Sequence, residues 1–239
     1  MSKSKKKIIH ALTIIDKSGS MERFRNCTIE GINANISALK KEVDDDTEII
    51  NTQLQFSANG GNWANCGGAP SDRDFVFVRV GAPVSDIPDM TPLDYVPDGG
   101  TPLLDAIGYA VEKVKDFHGN KLGDENLKII VTIFSDGEEN SSIKQTKASI
   151  KKMIEHFQSD GKWTFTFIGC GSFEAVSSES TSYGIAACNT VAYAATEKGF
   201  DEAYGKIATS YTNFARSAKL GLVDDDLFTE KAAPVGKKK

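Results

Sequence analysis

Three oxygen-bearing side chains at alternate positions, Asp16, Ser18 and Ser20, directly follow the apolar run Ile8-Ile9-His10-Ala11-Leu12-Thr13-Ile14-Ile15. A loop bent at Gly19 can turn all three toward one point. A hard cation such as Mg2+ takes oxygen ligands at about 2.0–2.1 Å in an octahedron. Two hydroxyls and one carboxylate make half of that shell. Two further stretches can supply the rest: Gly99-Gly100-Thr101-Pro102-Leu103-Leu104-Asp105, and Phe134-Ser135-Asp136-Gly137-Glu138-Glu139-Asn140. In the first, a glycine pair lets the backbone come close, and Thr101 stands where a helix begins with Pro102 as its first residue. The second follows another apolar run, Ile129-Ile130-Val131-Thr132-Ile133-Phe134. Ligands of open α/β sheets bind beyond the carboxyl ends of strands, and all three stretches fit that position.

Taken singly, each residue has a plain alternative: a turn with a helix cap at Ser18-Gly19-Ser20, a helix start at Thr101, a tight turn at Asp136-Gly137. Taken together, three separate loops each carry the right oxygen at the end of the right element. As a set they resemble the von Willebrand factor A domain with its metal-ion-dependent adhesion site. The family's Asp-x-Ser-x-Ser matches Asp16, Ser18 and Ser20, its lone threonine matches Thr101, and its distal aspartate matches Asp136. The resemblance covers roughly residues 8–218. Compact, stand-alone bacterial and phage versions are the most similar.

The resemblance implies a Rossmann-like, three-layer α/β fold. Its six-stranded sheet is mostly parallel with one antiparallel edge strand, and helices cover both faces. It also implies that the serines touch the metal directly, that the aspartates often act through water, and that Thr101 does either, depending on state. The ion is then left short of one anion, which an aspartate or glutamate of a protein partner supplies. In relatives, movement of the threonine's loop is coupled to sliding of the last helix. The predicted shell is small and poor in bidentate carboxylates, which favours Mg2+ over Ca2+, with Mn2+ as a substitute. Zinc would need cysteine or histidine at the site.

The chain of 239 residues has a 40% hydrophobic share, enough for one ordinary α/β core. Its net charge of −5 argues against a general nucleic-acid binder. No apolar stretch approaches the roughly 18–20 residues that span a bilayer. The basic start, 1–7, leads into a short strand rather than a signal sequence, so a cytoplasmic location is expected. Four cysteines at 27, 66, 170 and 188 form no Cys-x-x-Cys pair and read as reduced thiols. Phosphate-loop, dinucleotide and nucleophile-elbow motifs are absent, and the three histidines are scattered, so no enzyme activity is expected.

Periodicity supplies the frame. A helix is expected over 22–43 with Phe24, Ile32, Ile36, Leu39 and Val43 as its stripe. Strands are expected over 47–56 and 75–80, paired as an edge hairpin around a long loop, then a structureless stretch over 81–100. A helix over 102–117, a strand over 127–134, a helix from Ser141 or Ser142 to 158 using Ile143, and a strand over 163–168 follow. A weaker helix within 173–183, a strand over 189–195 and a last helix over 201–219 complete it. The domain is expected to span 8–219, between a basic tail at 1–7 and a mobile tail at 220–239.

Trp63, in the glycine-rich loop after Phe56, and Glu138, beside Asp136, are candidate partner contacts; Lys17, Glu138 and Glu139 otherwise read as a solvated rim. A second function is a structural or assembly component, for example of a phage particle or large complex, that works through a non-metal face such as the Trp63 loop. A third is a metal-dependent hydrolase. A monomer is the expected state.

Overall fold

The apolar runs at 8–15 and 129–134 become the two central strands because both of their faces are covered. The computed structural model describes residues 6–58, 74–136, 139–194, 196–222 and 227–228. Its elements are β1 (Lys7–Asp16), α1 (Arg25–Lys40), β2 (Thr47–Phe56), β3 (Phe75–Pro83), α2 (Leu103–His118), β4 (Leu127–Ser135), α3 (Lys147–Gln158), β5 (Trp163–Cys170), α4 (Phe173–Ser182), β6 (Thr190–Tyr193) and α5 (Glu197–Lys219). Six strands form one sheet in the order β3-β2-β1-β4-β5-β6. All neighbours are parallel except β2 and β3, which are antiparallel. This is the architecture that the resemblance implies.

Alternation along each strand feeds two cores. Ile9, Ala11 and Ile15 of β1 pack with Ile130 and Phe134 of β4 under α1 and α5. Leu12 and Ile14 pack with Ile129, Val131 and Ile133 under α2, α3 and α4. A sheet buried on both faces needs apolar residues at successive positions, which is why these strands read as continuous runs. Gly31 in α1 sets how closely α5 approaches, since an added Cβ would lie 2.0–2.2 Å from the Tyr204 ring.

Several boundaries differ from the sequence expectation. The first helix opens as a 3-10 turn over Gly19–Phe24 and ends at Lys40, so Val43 lies beyond it and is exposed. The third begins only at Lys147, where Thr146 and Ser149 form a reciprocal cap. Ile143 is exposed, and 139–146 is a loop in which Glu139 accepts the Ser142 N–H and Asp105, from the first turn of α2, accepts those of Ile143 and Gln145. The stretch 84–100 has no long element, yet α1 holds it in place. Arg25 donates to the Tyr95 and Pro92 carbonyls, Asn33 to Met90, and Lys40 to Ile87. Those three residues share one face of the helix, a spacing that sequence periodicity assigns only to solvent.

Candidate metal centre

The strand order reverses direction at β1. The chain runs outward from β1 to β2 and β3, then returns through α2 to β4 on β1's other side. The chain leaves the paired carboxyl ends of β1 and β4 toward helices on opposite faces, α1 and α3, and such a point is the general ligand position of open α/β sheets. Asp16 is the last residue of β1, and Asp136 is the first after β4.

Asp16 is 0% exposed. Its Oδ1 accepts the Ser18 N–H at 2.7 Å, which curls the loop back on the strand. Its Oδ2 accepts the Ser135 hydroxyl at 2.6 Å, which ties β1 to β4. Burial pushes its carboxyl up to about 6; bonds from Ser135 and Ser18 oppose this, and the nearby Asp136 charge adds to it. Tyr95, fully buried, donates its hydroxyl to the Asp16 carbonyl at 2.6 Å and so supports the loop from below.

The alternate spacing of Ser18 and Ser20 does bring them together, with hydroxyl oxygens 3.1 Å apart. Ser18 is buried, and Ser20 faces outward. The Gly19 N–H donates to the Gly99 carbonyl at 2.9 Å, joining the first loop to the second two residues before Thr101. Gly99 sits at φ 79°, a conformation that favours glycine. Gly100 exchanges both backbone hydrogen bonds with Ala58, and an added Cβ there would meet the Ser141 hydroxyl at 2.5 Å. The glycine pair thus does allow close approach, as its sequence suggests. Thr101 is buried.

Asp136 is the most informative member. Its side chain is 4% exposed, and its Oδ2 is 3.9 Å from Nη2 of Arg23. Its Oδ1 is buried and has no hydrogen-bond partner among the described residues. An unsatisfied oxygen on a buried carboxylate costs free energy unless a cation or water satisfies it. The Asp16 and Asp136 charges act on each other, and among the described residues Asp136 has an ion pair with the exposed Arg23 alone, so the site is short of positive charge. The donor set is all oxygen, with hydroxyls and carboxylates mixed, so the residues fit a hard divalent cation. Among the described residues, no group of three or more His, Cys, Asp or Glu gathers as a metal site.

Several residues around the site were not singled out from sequence. Ser135 and Tyr95 act through single hydrogen bonds that no motif announces. Glu139 is not a solvated rim: its carboxylate accepts the Leu104, Ser141 and Ser142 N–H groups. Asp105 is buried and accepts three more. A carboxylate in the first turn of α2 was the available signal, because such residues commonly cap. His10 and His118 are not scattered but hydrogen-bonded to each other at 2.7 Å. His10 lies toward the opposite end of β1 from Asp16, in register with Ile50 and Ile129, and His118 ends α2. Trp63 and Glu138 lie outside the described residues.

No family model and no curated protein matches the sequence. Solved structures do. The pilus adhesin SpaC from Lactobacillus rhamnosus GG, in its open conformation, aligns over 91% of this chain at 11% identity and a TM-score of 0.59. A von Willebrand factor type A protein from Catenulispora acidiphila aligns over 87% at 12% identity and a TM-score of 0.50. The manganese-loaded TRAP protein of Plasmodium vivax aligns over 86% at 13% identity and a TM-score of 0.51. The chain spans 30%, 43% and 74% of those three chains respectively. At such identities the likeness concerns architecture alone. With its strand order, antiparallel edge and two-sided helical cover, the chain has the von Willebrand factor A fold.

Proposed function

We propose that this chain is a protein-binding module completed by a divalent cation, Mg2+ or in its place Mn2+. Asp16, Ser18, Ser20, Thr101 and Asp136 hold the ion, and an aspartate or glutamate of a partner protein takes the remaining position. The observation that carries the reading is the buried Asp136 Oδ1, without a hydrogen-bond partner among the described residues, together with the nearby buried Asp16 carboxylate, whose loop pairs the hydroxyls of Ser18 and Ser20. Bound there, the ion supplies a positive centre; three of its five holders are neutral hydroxyls, which leaves a position that an outside carboxylate can fill. Asp16 keeps the Ser18 loop in place through its bond to the Ser18 N–H.

The occurrence of this fold in a manganese-loaded protein and in a pilus adhesin supports the reading. We assign no catalytic step. The hydroxyls have no histidine beside them to act as a base, since His10, toward the other end of β1, is engaged with His118 and Thr52. No helix among the described residues is long and apolar enough to cross a membrane. The proposal keeps the module monomeric and cytoplasmic, as read from its sequence.

The test is thermal or urea unfolding of wild type, Asp16→Ala and Ser18→Ala across a Mg2+ titration from an EDTA baseline. At about 100 times the dissociation constant, wild type should gain about 2.7 kcal/mol. The variants should gain far less. Superimposable titrations for all three proteins would count against the proposal.

A further inference from the structure

The loop after β4 and the start of α2 cap one another. Glu139 Oε2 accepts the Leu104 N–H at 2.9 Å, in the first turn of α2, and the Ser142 hydroxyl at 2.7 Å. Its Oε1 accepts the Ser141 and Ser142 N–H groups at 3.0 and 2.8 Å. Asp105, from the same first turn of α2, reaches back. Its Oδ2 accepts the Ile143 N–H at 2.9 Å, and its Oδ1 accepts those of Lys144 and Gln145 at 3.0 and 2.7 Å. The Ser142 hydroxyl also accepts the Asp105 N–H at 3.1 Å. Asn140 closes the set: its side-chain oxygen accepts the Thr101 N–H at 2.9 Å, and its own N–H donates to the Thr101 carbonyl at 3.2 Å.

The physical demand is clear on both sides. A helix start leaves its first N–H groups without intrahelical partners and favours negative charge. The residue before α2 is Pro102, which makes no side-chain cap. Glu139 therefore caps α2 from a different loop. The turn at 143–145 likewise presents three N–H groups in a row, and Asp105 takes them all. Hydrogen bonds from N–H to an ionised carboxylate are roughly twice as strong as neutral ones. The two exchanged carboxylates follow Thr101 and Asp136 closely in sequence, Asp105 four residues after the first and Glu139 three after the second.

We infer that Glu139 and Asp105 are positioning residues that make the Thr101 loop and the Asp136 loop one body. The relative placement of the two distal oxygens is then set by this reciprocal cap and not by either loop alone. The inference rests on the metal reading above for its consequence. A threonine hydroxyl binds a cation weakly unless it is already in place, so a loosened cap shows as lost metal affinity. Outer partners of metal ligands have effects of about 10- to 100-fold on affinity.

The experiment uses the full chain and Mn2+ as the probe, titrated calorimetrically and by electron paramagnetic resonance, with amide hydrogen exchange in parallel. Glu139→Gln keeps the shape but turns an amino group toward N–H donors. It should bind Mn2+ about tenfold more weakly than wild type. Exchange at Thr101 and Leu104 should speed up together with exchange at 141–145. Asp105→Asn should act the same way, and Ser142→Ala, which removes only two of the bonds, serves if either does not fold. Glu42→Gln, which loosens contacts to Arg216 and Lys219 at the opposite end of the sheet, controls for stability alone and should leave Mn2+ affinity unchanged. The inference is overturned if folded Glu139→Gln binds Mn2+ within twofold of wild type, or if exchange quickens at 141–145 while Thr101 and Leu104 stay as they were. Should wild type take up no Mn2+, the metal reading fails, and the exchange measurement alone decides whether the loops are coupled.

Discussion

The guanidinium of Arg23 stands 3.9 Å from the carboxylate of Asp136, with the arginine 62% exposed and the aspartate 4%. Arg23 comes from the 3-10 turn directly after the Ser18 loop, and its guanidinium also lies 4.6 Å over the Phe24 ring. It puts a positive charge beside the carboxylate assigned to the proposed cation. Replacing it with alanine should tighten Mn2+ binding by up to about fivefold at low salt, a limit set by the modest worth of exposed ion pairs. Added salt should shrink the gain, because an exposed charge is screened within about 10 Å at 0.1 M. Weaker or unchanged binding in Arg23→Ala would show that the arginine does not oppose the ion.

Gly100 is where the second and third loops touch. A Cβ there would lie 2.5 Å from the Ser141 hydroxyl and 3.2 Å from the Asn140 side-chain oxygen. Gly100→Ala should displace Thr101, lower Mn2+ affinity, and cost about 1–3 kcal/mol of stability through overpacking. Ser141→Gly in the same chain should recover part of both losses. A double-mutant cycle measures that recovery, and strictly additive effects would mean the contact is not the cause.

Gly31 tests the packing of the other core independently of the metal. Alanine normally gains about 1 kcal/mol over glycine within a helix. Here its Cβ would overlap the Tyr204 ring at 2.0–2.2 Å. Gly31→Ala should therefore destabilise the fold by about 1–3 kcal/mol in urea unfolding, with Mn2+ affinity unaltered. A net gain in stability would show that α1 and α5 shift apart freely.

Acid should weaken the fold through the histidine pair. His10 contacts His118 and the Thr52 hydroxyl, which itself accepts the Gly81 N–H, while Phe117 packs edge-on against the His10 ring. Burial, with the His118 charge adding to it, pulls His10 down to about 3. Burial and then the Lys121 charge pull His118 down as well. Both groups bind protons more readily in the unfolded chain, so stability rises with pH across this window. It should be full above about 6.5 and fall progressively toward 3. His10→Gln should flatten that slope in EDTA; an unchanged slope would assign it to other groups.

Tyr95 links the long 84–100 stretch to the Asp16 loop of the proposed metal site through its bond to the Asp16 carbonyl. Tyr95→Phe should cost about 1 kcal/mol, the usual net worth of one hydrogen bond. It should also weaken Mn2+ binding, since the loop loses its support. Loss of stability without loss of affinity would limit Tyr95 to a packing role.

Much of this protein was legible in its order of residues. Burial on both faces makes a central parallel strand a continuous apolar run, so β1, β4 and β5 announce themselves. Asp16, Ser18, Ser20, Thr101 and Asp136 stand out as a candidate set because they put oxygens on three loops, two at strand ends and one before a helix; only the Asp16-Ser18-Ser20 spacing is local. The misreadings were also physical. Ile143 and Val43 have helical spacing but lie outside any helix, because side chains from elsewhere satisfy the amides at 143–145 and a turn ends α1 at Lys40.

Pairing across distance was decided only by the folded chain. Nothing near Glu139 in sequence says that its partner is the Leu104 amide, 35 residues earlier, or that His10 meets His118 across 108 residues. Local pattern records which face of a strand or helix a side chain occupies. Which distant group it meets there depends on strand order and crossover, so the oxygens could be listed from sequence, but the contacts that hold them together had to come from the tertiary structure.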